Sequence, residues 1–122
     1  MRTAALLFTL TLVLVLGGCS SSICSGTSCD CPSGETCDFD ACSTSTADCN
    51  YSCSADSTCT GECGADCNVA CVGKSCTHTV GEGSNVSCTS GTCNITCNGS
   101  CSVVGSTSLT CVGSTKGLMG CD

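Results

Sequence analysis

The run Cys67-Asn-Val-Ala-Cys71-Val-Gly-Lys-Ser-Cys76-Thr-His-Thr-Val80-Gly-Glu-Gly-Ser84-Asn-Val-Ser-Cys88-Thr-Ser-Gly-Thr-Cys93-Asn-Ile-Thr-Cys97-Asn-Gly-Ser-Cys101 carries the architecture of this chain. Five-residue units recur in it, and Cys67 to Cys71 and Cys93 to Cys97 are the most regular copies. Each runs cysteine, polar, apolar, small, cysteine, with a β-branched residue at the centre. Alternation at period two with such a centre is the signature of a strand. The first, third and fifth residues share a face, so cysteines and the apolar side chain point inward while Asn, Thr and Ser point out.

The pattern extends in both directions. Upstream lie Cys49-Asn-Tyr-Ser-Cys53 and Cys59-Thr-Gly-Glu-Cys63, and downstream Cys101-Ser-Val-Val-Gly105, Thr107-Ser-Leu-Thr-Cys111 and a frayed Gly117-Leu-Met-Gly-Cys121. In the middle of the array, four-residue linkers (72–75, 89–92) alternate with three-residue linkers (64–66, 81–83, 98–100), and every short one contains glycine, as tight turns require. Two strands and two unequal turns make a coil of about 17 residues, 67–83 and then 84–100. The expected fold is all-β: a small, disulfide-stapled parallel β-solenoid whose coils stack over a thin shared core. An antiparallel meander has the same strand lengths and is the alternative, but it has no need of alternating linkers. The acidic stretch 24–48, with Cys29-Asp-Cys31-Pro32 and Gly34-Glu-Thr-Cys37, reads as an irregular disulfide cap before the repeats of 49–122.

Geometry limits how the cysteines pair. Two cysteines four apart in one strand are separated by about 13 Å, well beyond the reach of a bridge. Each therefore pairs across a turn or with a neighbouring coil. The gaps point to the turns. Where Val80 replaces a cysteine, Ser84 stands opposite, and Gly105 is answered in the same way by Thr107. Cysteines vanish in across-turn pairs. The pairs expected are Cys53–Cys59, Cys63–Cys67, Cys71–Cys76, Cys88–Cys93 and Cys97–Cys101. Extended outward, the rule adds Cys24–Cys29, Cys31–Cys37, Cys42–Cys49 and Cys111–Cys121. Closing each small loop contributes about 2 kcal/mol on chain-entropy grounds. Phe39 and Tyr51 are the only aromatics beyond residue 19, so a core of small side chains needs that help.

The pairing uses eighteen of nineteen cysteines and leaves Cys19. Met1-Arg-Thr3 and an apolar run from Ala4 to Leu16 form a signal-peptide pattern too short to span a bilayer. The run ends in Leu16-Gly-Gly-Cys19, which resembles the bacterial lipobox. The resemblance implies cleavage after residue 18, lipid on Cys19 and a tether over 19–23. Ser20 and Ser21 lack the aspartate of inner-membrane retention, so in a host with two membranes the resemblance implies the outer membrane or cell surface. Export also places the cysteines where disulfides persist. The mature chain has Lys74 and Lys116 against ten carboxylates, a net charge of −8. Such a chain repels nucleic acid and anionic headgroups, so its expected membrane contact is the N-terminal lipid.

No catalytic constellation emerges. His78 is the single histidine and falls at an inward centre position, no serine has a base beside it, and no phosphate-binding glycine motif opens a helix. The protein is expected not to be an enzyme and to carry no cofactor. A metallothionein-like thiolate cluster is the alternative suggested by cysteine density, opposed by an oxidising compartment and by the scarcity of Cys-x-Cys spacing. Eight of the ten acidic residues fall between Asp30 and Asp66, without an EF-hand or a calcium nonapeptide, and read as a solvated acidic end. Outward residues would form ladders: Asn50, Asn68, Asn85 and Ser102 on one side, and Thr60, Thr77, Asn94 and Ser108 beside Glu62, Thr79, Thr96 and Thr110 on the other. The threonine array resembles those of ice-binding solenoids, a second alternative.

With its C-N-Φ-x-C units over 49–121, the mature chain resembles the cysteine-rich repeat lipoproteins of bacterial envelopes. That resemblance implies a repeat fold and brings no activity with it. The function expected is a lipid-anchored structural, adhesive or partner-binding module of the cell envelope, with an envelope or extracellular partner.

Overall fold

A computed structural model describes residues 23–39, 41–89, 91–105 and 107–122. The signal segment, Cys19 and most of the tether lie outside the described residues.

The strands are short and follow the five-residue units. They begin with β1 (Cys24–Ser25), β2 (Ser28–Cys31), β3 (Thr36–Phe39), β4 (Asn50–Cys53), β5 (Thr58–Glu62) and β6 (Asn68–Cys71). They continue with β7 (Ser75–Gly81), β8 (Ser84–Cys88), β9 (Thr92–Asn98), β10 (Cys101–Val104), β11 (Ser108–Val112) and β12 (Gly120–Cys121). Alternate strands go to alternate sheets. One sheet has the order β1-β2-β4-β6-β8-β10-β12 and the other β11-β9-β7-β5-β3. Within each sheet the stacked coils pair in parallel. This is the parallel β-solenoid; the meander is ruled out by strand direction. Asn68 pairs with Asn85 and Ser75 with Thr92, so the central coils repeat every 17 residues.

The core is a thin layer between the sheets. Tyr51, Val69, Val86 and Val103 occupy successive rungs of the first sheet. They face Phe39, His78 and Ile95 of the second, all buried. Cysteines border this layer on both sides. The turns stack as well as the strands. The amides of Asp48, Asp66 and Gly83 donate to the carbonyls of Ala65, Glu82 and Ser100, each one coil further on, at 2.8–3.0 Å. These three residues hold one corner of consecutive coils in the left-handed region, with φ of 59°, 57° and 78°. Asp tolerates that conformation better than most residues. Gly83 has little choice, because a Cβ there would run into Asp66 Oδ1. With Asp56 at φ 59°, three of the acidic residues between Asp30 and Asp66 are turn formers, a role that composition does not announce.

Two expectations need correction. The stretch 24–48 is not irregular throughout: β2 and β3 pair in parallel with β4 and β5 and form a coil of their own. Its strands were hidden because aspartate stands at outward positions and cysteine at inward ones, leaving few apolar centres to count. The offset between this coil and the next is 22 residues, and the excess forms the turn across Cys42–Cys49. The second correction concerns Gly117 to Cys121, which is no further parallel copy. β12 runs antiparallel to β10, because the ten-residue span from Cys111 to Cys121 lets the chain reverse before it pairs. The other end is closed similarly by β1, antiparallel to β2.

Candidate functional site

All eighteen cysteines of the described residues are bridged, each to a near neighbour in sequence, with Cα atoms 4.0–6.6 Å apart. Cys24–Cys29 joins facing positions of the β1–β2 hairpin. The other eight sit at the two edges where the sheets meet. One edge carries Cys31–Cys37, Cys53–Cys59, Cys71–Cys76 and Cys88–Cys93. Register stacks them in an unbroken column, since Cys31, Cys53, Cys71 and Cys88 lie on successive rungs of one sheet. Cys37, Cys59, Cys76 and Cys93 do so on the other.

The second edge carries Cys42–Cys49, Cys63–Cys67, Cys97–Cys101 and Cys111–Cys121. Val80 and Ser84 interrupt it, both fully buried. Val80 fills the space of one sulfur. The Ser84 hydroxyl accepts from the Cys67 amide at 3.1 Å and donates to the Gly64 carbonyl at 3.4 Å. The first edge ends in a similar way: the Thr107 hydroxyl accepts from the Cys93 amide at 2.8 Å. There β11 follows β9 by only 14 residues, so the missing bridge goes with a shortened turn.

His78 lies in the interior, 1 % exposed. Its ring stacks on Phe39, with centroids 5.9 Å apart and planes 16° apart, and tilts against Tyr51 at 5.6 Å. Gly61 sits on the rung between Phe39 and His78. A Cβ there would lie 3.0 Å from the Phe39 side chain, 3.2 Å from Tyr51 and 3.3 Å from His78, so this close approach needs glycine. The Tyr51 hydroxyl donates to the Glu62 carbonyl at 2.6 Å. Burial lowers the His78 pKa to about 4, with the Gly61 backbone opposing the shift. Neither ring nitrogen has a fully formed hydrogen bond. A neutral imidazole sealed among aromatic rings has no access to a substrate. Three residues scattered over the sequence make this cluster, and only the register shows that they meet.

The outer faces are polar ladders. Ser28, Asn50, Asn68, Asn85 and Ser102 occupy one rank of the first sheet, and the Asn68 amide donates to the Asn50 side chain at 3.4 Å. A trough of about 500 Å³ runs along this face. On the second sheet Asp38, Thr60, Thr77, Asn94 and Ser108 form one rank, and Glu62, Thr79, Thr96 and Thr110 the next. The Thr60 hydroxyl donates to Asp38 at 3.0 Å. Rungs of such sheets are about 4.8 Å apart, so each rank is a regular row of polar groups, which on the second sheet begins with the carboxylate of Asp38 or Glu62.

Three trios of sulfurs lie within 4.8 Å of one another: Cys53, Cys71 and Cys76; Cys71, Cys88 and Cys93; Cys97, Cys101 and Cys121. Every sulfur in them belongs to a bridge. Metal ligation needs the thiolate, so bridged sulfur is the wrong chemical form for the cluster that cysteine density suggested. The chain is a cysteine-rich, disulfide-stapled solenoid. No protein-family model matches it, and no curated protein or solved structure is significantly similar to it.

Proposed function

We propose that this protein is a lipid-anchored module of the bacterial cell envelope that holds a rigid polar surface out to an envelope or extracellular partner. The observation that carries this reading is the pair of outer faces, with regular ranks of Asn, Thr and Ser on coils that bridges lock at their edges. A surface fixed in this way binds with little loss of conformational freedom. The lipobox-like Leu16-Gly-Gly-Cys19 supports the anchor. The burial of His78 supports a role without acid–base catalysis. Cys19→Ala tests the anchor: it should move the protein from the membrane fraction to the soluble one and remove the diacyl mass. Unchanged fractionation contradicts it.

One observation favours a second reading, binding to ice. Thr79, Thr96 and Thr110 follow one another on adjacent rungs, beside Thr60 and Thr77. Thermal hysteresis that Thr79→Lys abolishes would establish this role, and its absence from the purified protein would dismiss it.

A further inference from the structure

The unbroken edge column holds more than a set of staples. Its sulfurs approach one another between bridges as well as within them. Cys71 Sγ lies within 4.8 Å of both sulfurs of Cys88–Cys93, and Cys53 Sγ within 4.8 Å of both sulfurs of Cys71–Cys76. Most of the column is sealed. Cys53, Cys59, Cys71, Cys76 and Cys93 are all but inaccessible, whereas Cys88, next to the unbridged Gly105 and Thr107, is 8 % exposed. At the opposite end Cys37 is 4 % exposed, so the column is most accessible at Cys88.

We propose that this column is a disulfide relay, which oxidises an external dithiol at Cys88–Cys93 and passes the resulting dithiol inward to Cys71–Cys76 and Cys53–Cys59. The proposal is independent of the partner-binding reading above. In the first step a thiolate of the external dithiol attacks Cys88 Sγ. The Cys88–Cys93 bond breaks, a mixed disulfide forms and Cys93 leaves, taking a proton. The second thiolate of the external dithiol closes on the first, releasing Cys88. The external molecule has lost two electrons and become a disulfide, while Cys88 and Cys93 are thiols. Next, the Cys88 thiolate attacks Cys71 Sγ, forming Cys71–Cys88 and expelling Cys76. The Cys93 thiolate then attacks Cys88 Sγ, restoring Cys88–Cys93 and expelling Cys71. The dithiol has moved one rung with no other reactant, and the same two exchanges through Cys53 move it to Cys53 and Cys59. Burial disfavours the attacking thiolate, so transfer is slow and accelerates about tenfold per pH unit below the thiol pKa. On the other edge Val80 and Ser84 break the path between Cys63–Cys67 and Cys97–Cys101.

The experiment gives the oxidised protein one equivalent of dithiothreitol at pH 8, quenches with acid at intervals, alkylates and maps the labelled cysteines. Label should appear first on Cys88 and Cys93, then on Cys71 and Cys76, then on Cys53 and Cys59. Over that time Cys63 and Cys67 should lag; Cys42–Cys49 and Cys97–Cys101, each with one cysteine 7 % exposed, are scored apart. Cys24–Cys29 and Cys111–Cys121, which are partly exposed, take label on their own and are scored apart. Label that stays on Cys88 and Cys93, or reaches all rungs at the first time point, overturns the proposal. Cys93→Ser gives a second readout without reductant. Part of the protein should contain a Cys71–Cys88 bridge with Cys76 free, whereas Cys67→Ser should keep its free thiol on Cys63. A Cys93→Ser protein whose only free thiol is Cys88 also overturns it.

Discussion

At one edge of the solenoid four bridges follow one another from Cys31–Cys37 to Cys88–Cys93. At the other edge the series breaks after Cys63–Cys67, and Val80 and Ser84 close the coil before Cys97–Cys101 resumes it. The backbone runs through the gap without a change of register, for Thr79 pairs with Thr96 and Val80 with Cys97 as their neighbours do. A buried valine and a hydroxyl with two backbone partners therefore suffice at a single rung. The difference separates what a bridge does from what the sheets do. Parallel pairing and the thin core set the path of the chain. Bridges make that path cheaper to hold by removing freedom from the unfolded chain.

Strand β7 runs between the two edges, with Cys76 at the bridged one, Val80 at the gap and His78 between them, and it is where the comparison is best broken. The largest effect should come from pH. The folded pKa of His78, about 4, lies below its ordinary value of 6.5. The unfolded chain then binds the extra proton first, so stability is full above pH 6.5 and falls as pH drops towards 4. The loss at pH 4 should be roughly 3 kcal/mol, read by urea unfolding at a series of pH values. His78→Leu should flatten that dependence; an unaltered one would mean that another group is responsible.

Removing a rung comes next in size. Cys71→Ser together with Cys76→Ser should cost about 2 kcal/mol from loop entropy, plus the packing of two buried sulfurs. It should create no free thiol, whereas each single variant should expose one. Two thiols in the double variant would mean that these cysteines pair elsewhere.

The smallest effect runs in the opposite direction. Val80→Cys with Ser84→Cys should fill the gap and oxidise to a tenth bridge, seen as a loss of two hydrogens in the mass. The gain should be about 1 kcal/mol, less than a full bridge gives, because the Ser84 hydrogen bonds are lost. A pair that stays reduced in air would show that the two edges differ in geometry as well as in sequence.

Much of this is legible in the sequence. Linkers of alternating length implied a coil, and the paired losses at Val80/Ser84 and Gly105/Thr107 implied bridges within turns. What escaped has physical causes. Strands β2 and β3 carry aspartate at outward positions, where an apolar count finds no strand. The reversal into β12 depends on the nine residues between Cys111 and Cys121, which could equally have spanned another turn. The left-handed corners at Asp48 and Asp66 were masked by their charge, which suggested solvent or cation contact. The cluster of Phe39, Tyr51 and His78 exists only once register brings three coils together. Of a functional site, the ladders of Asn and Thr were visible as a period, but a repeated polar face does not name its partner.

The central claim is that each bridge closes a turn within a coil, and peptide mapping of the native oxidised protein tests it most directly. Digestion at acid pH without reductant keeps thiolates from shuffling the bridges. The account predicts peptides joined as Cys53–Cys59, Cys71–Cys76 and Cys88–Cys93. Recovery of Cys53–Cys71 or Cys71–Cys88 from unreduced wild-type protein would contradict it.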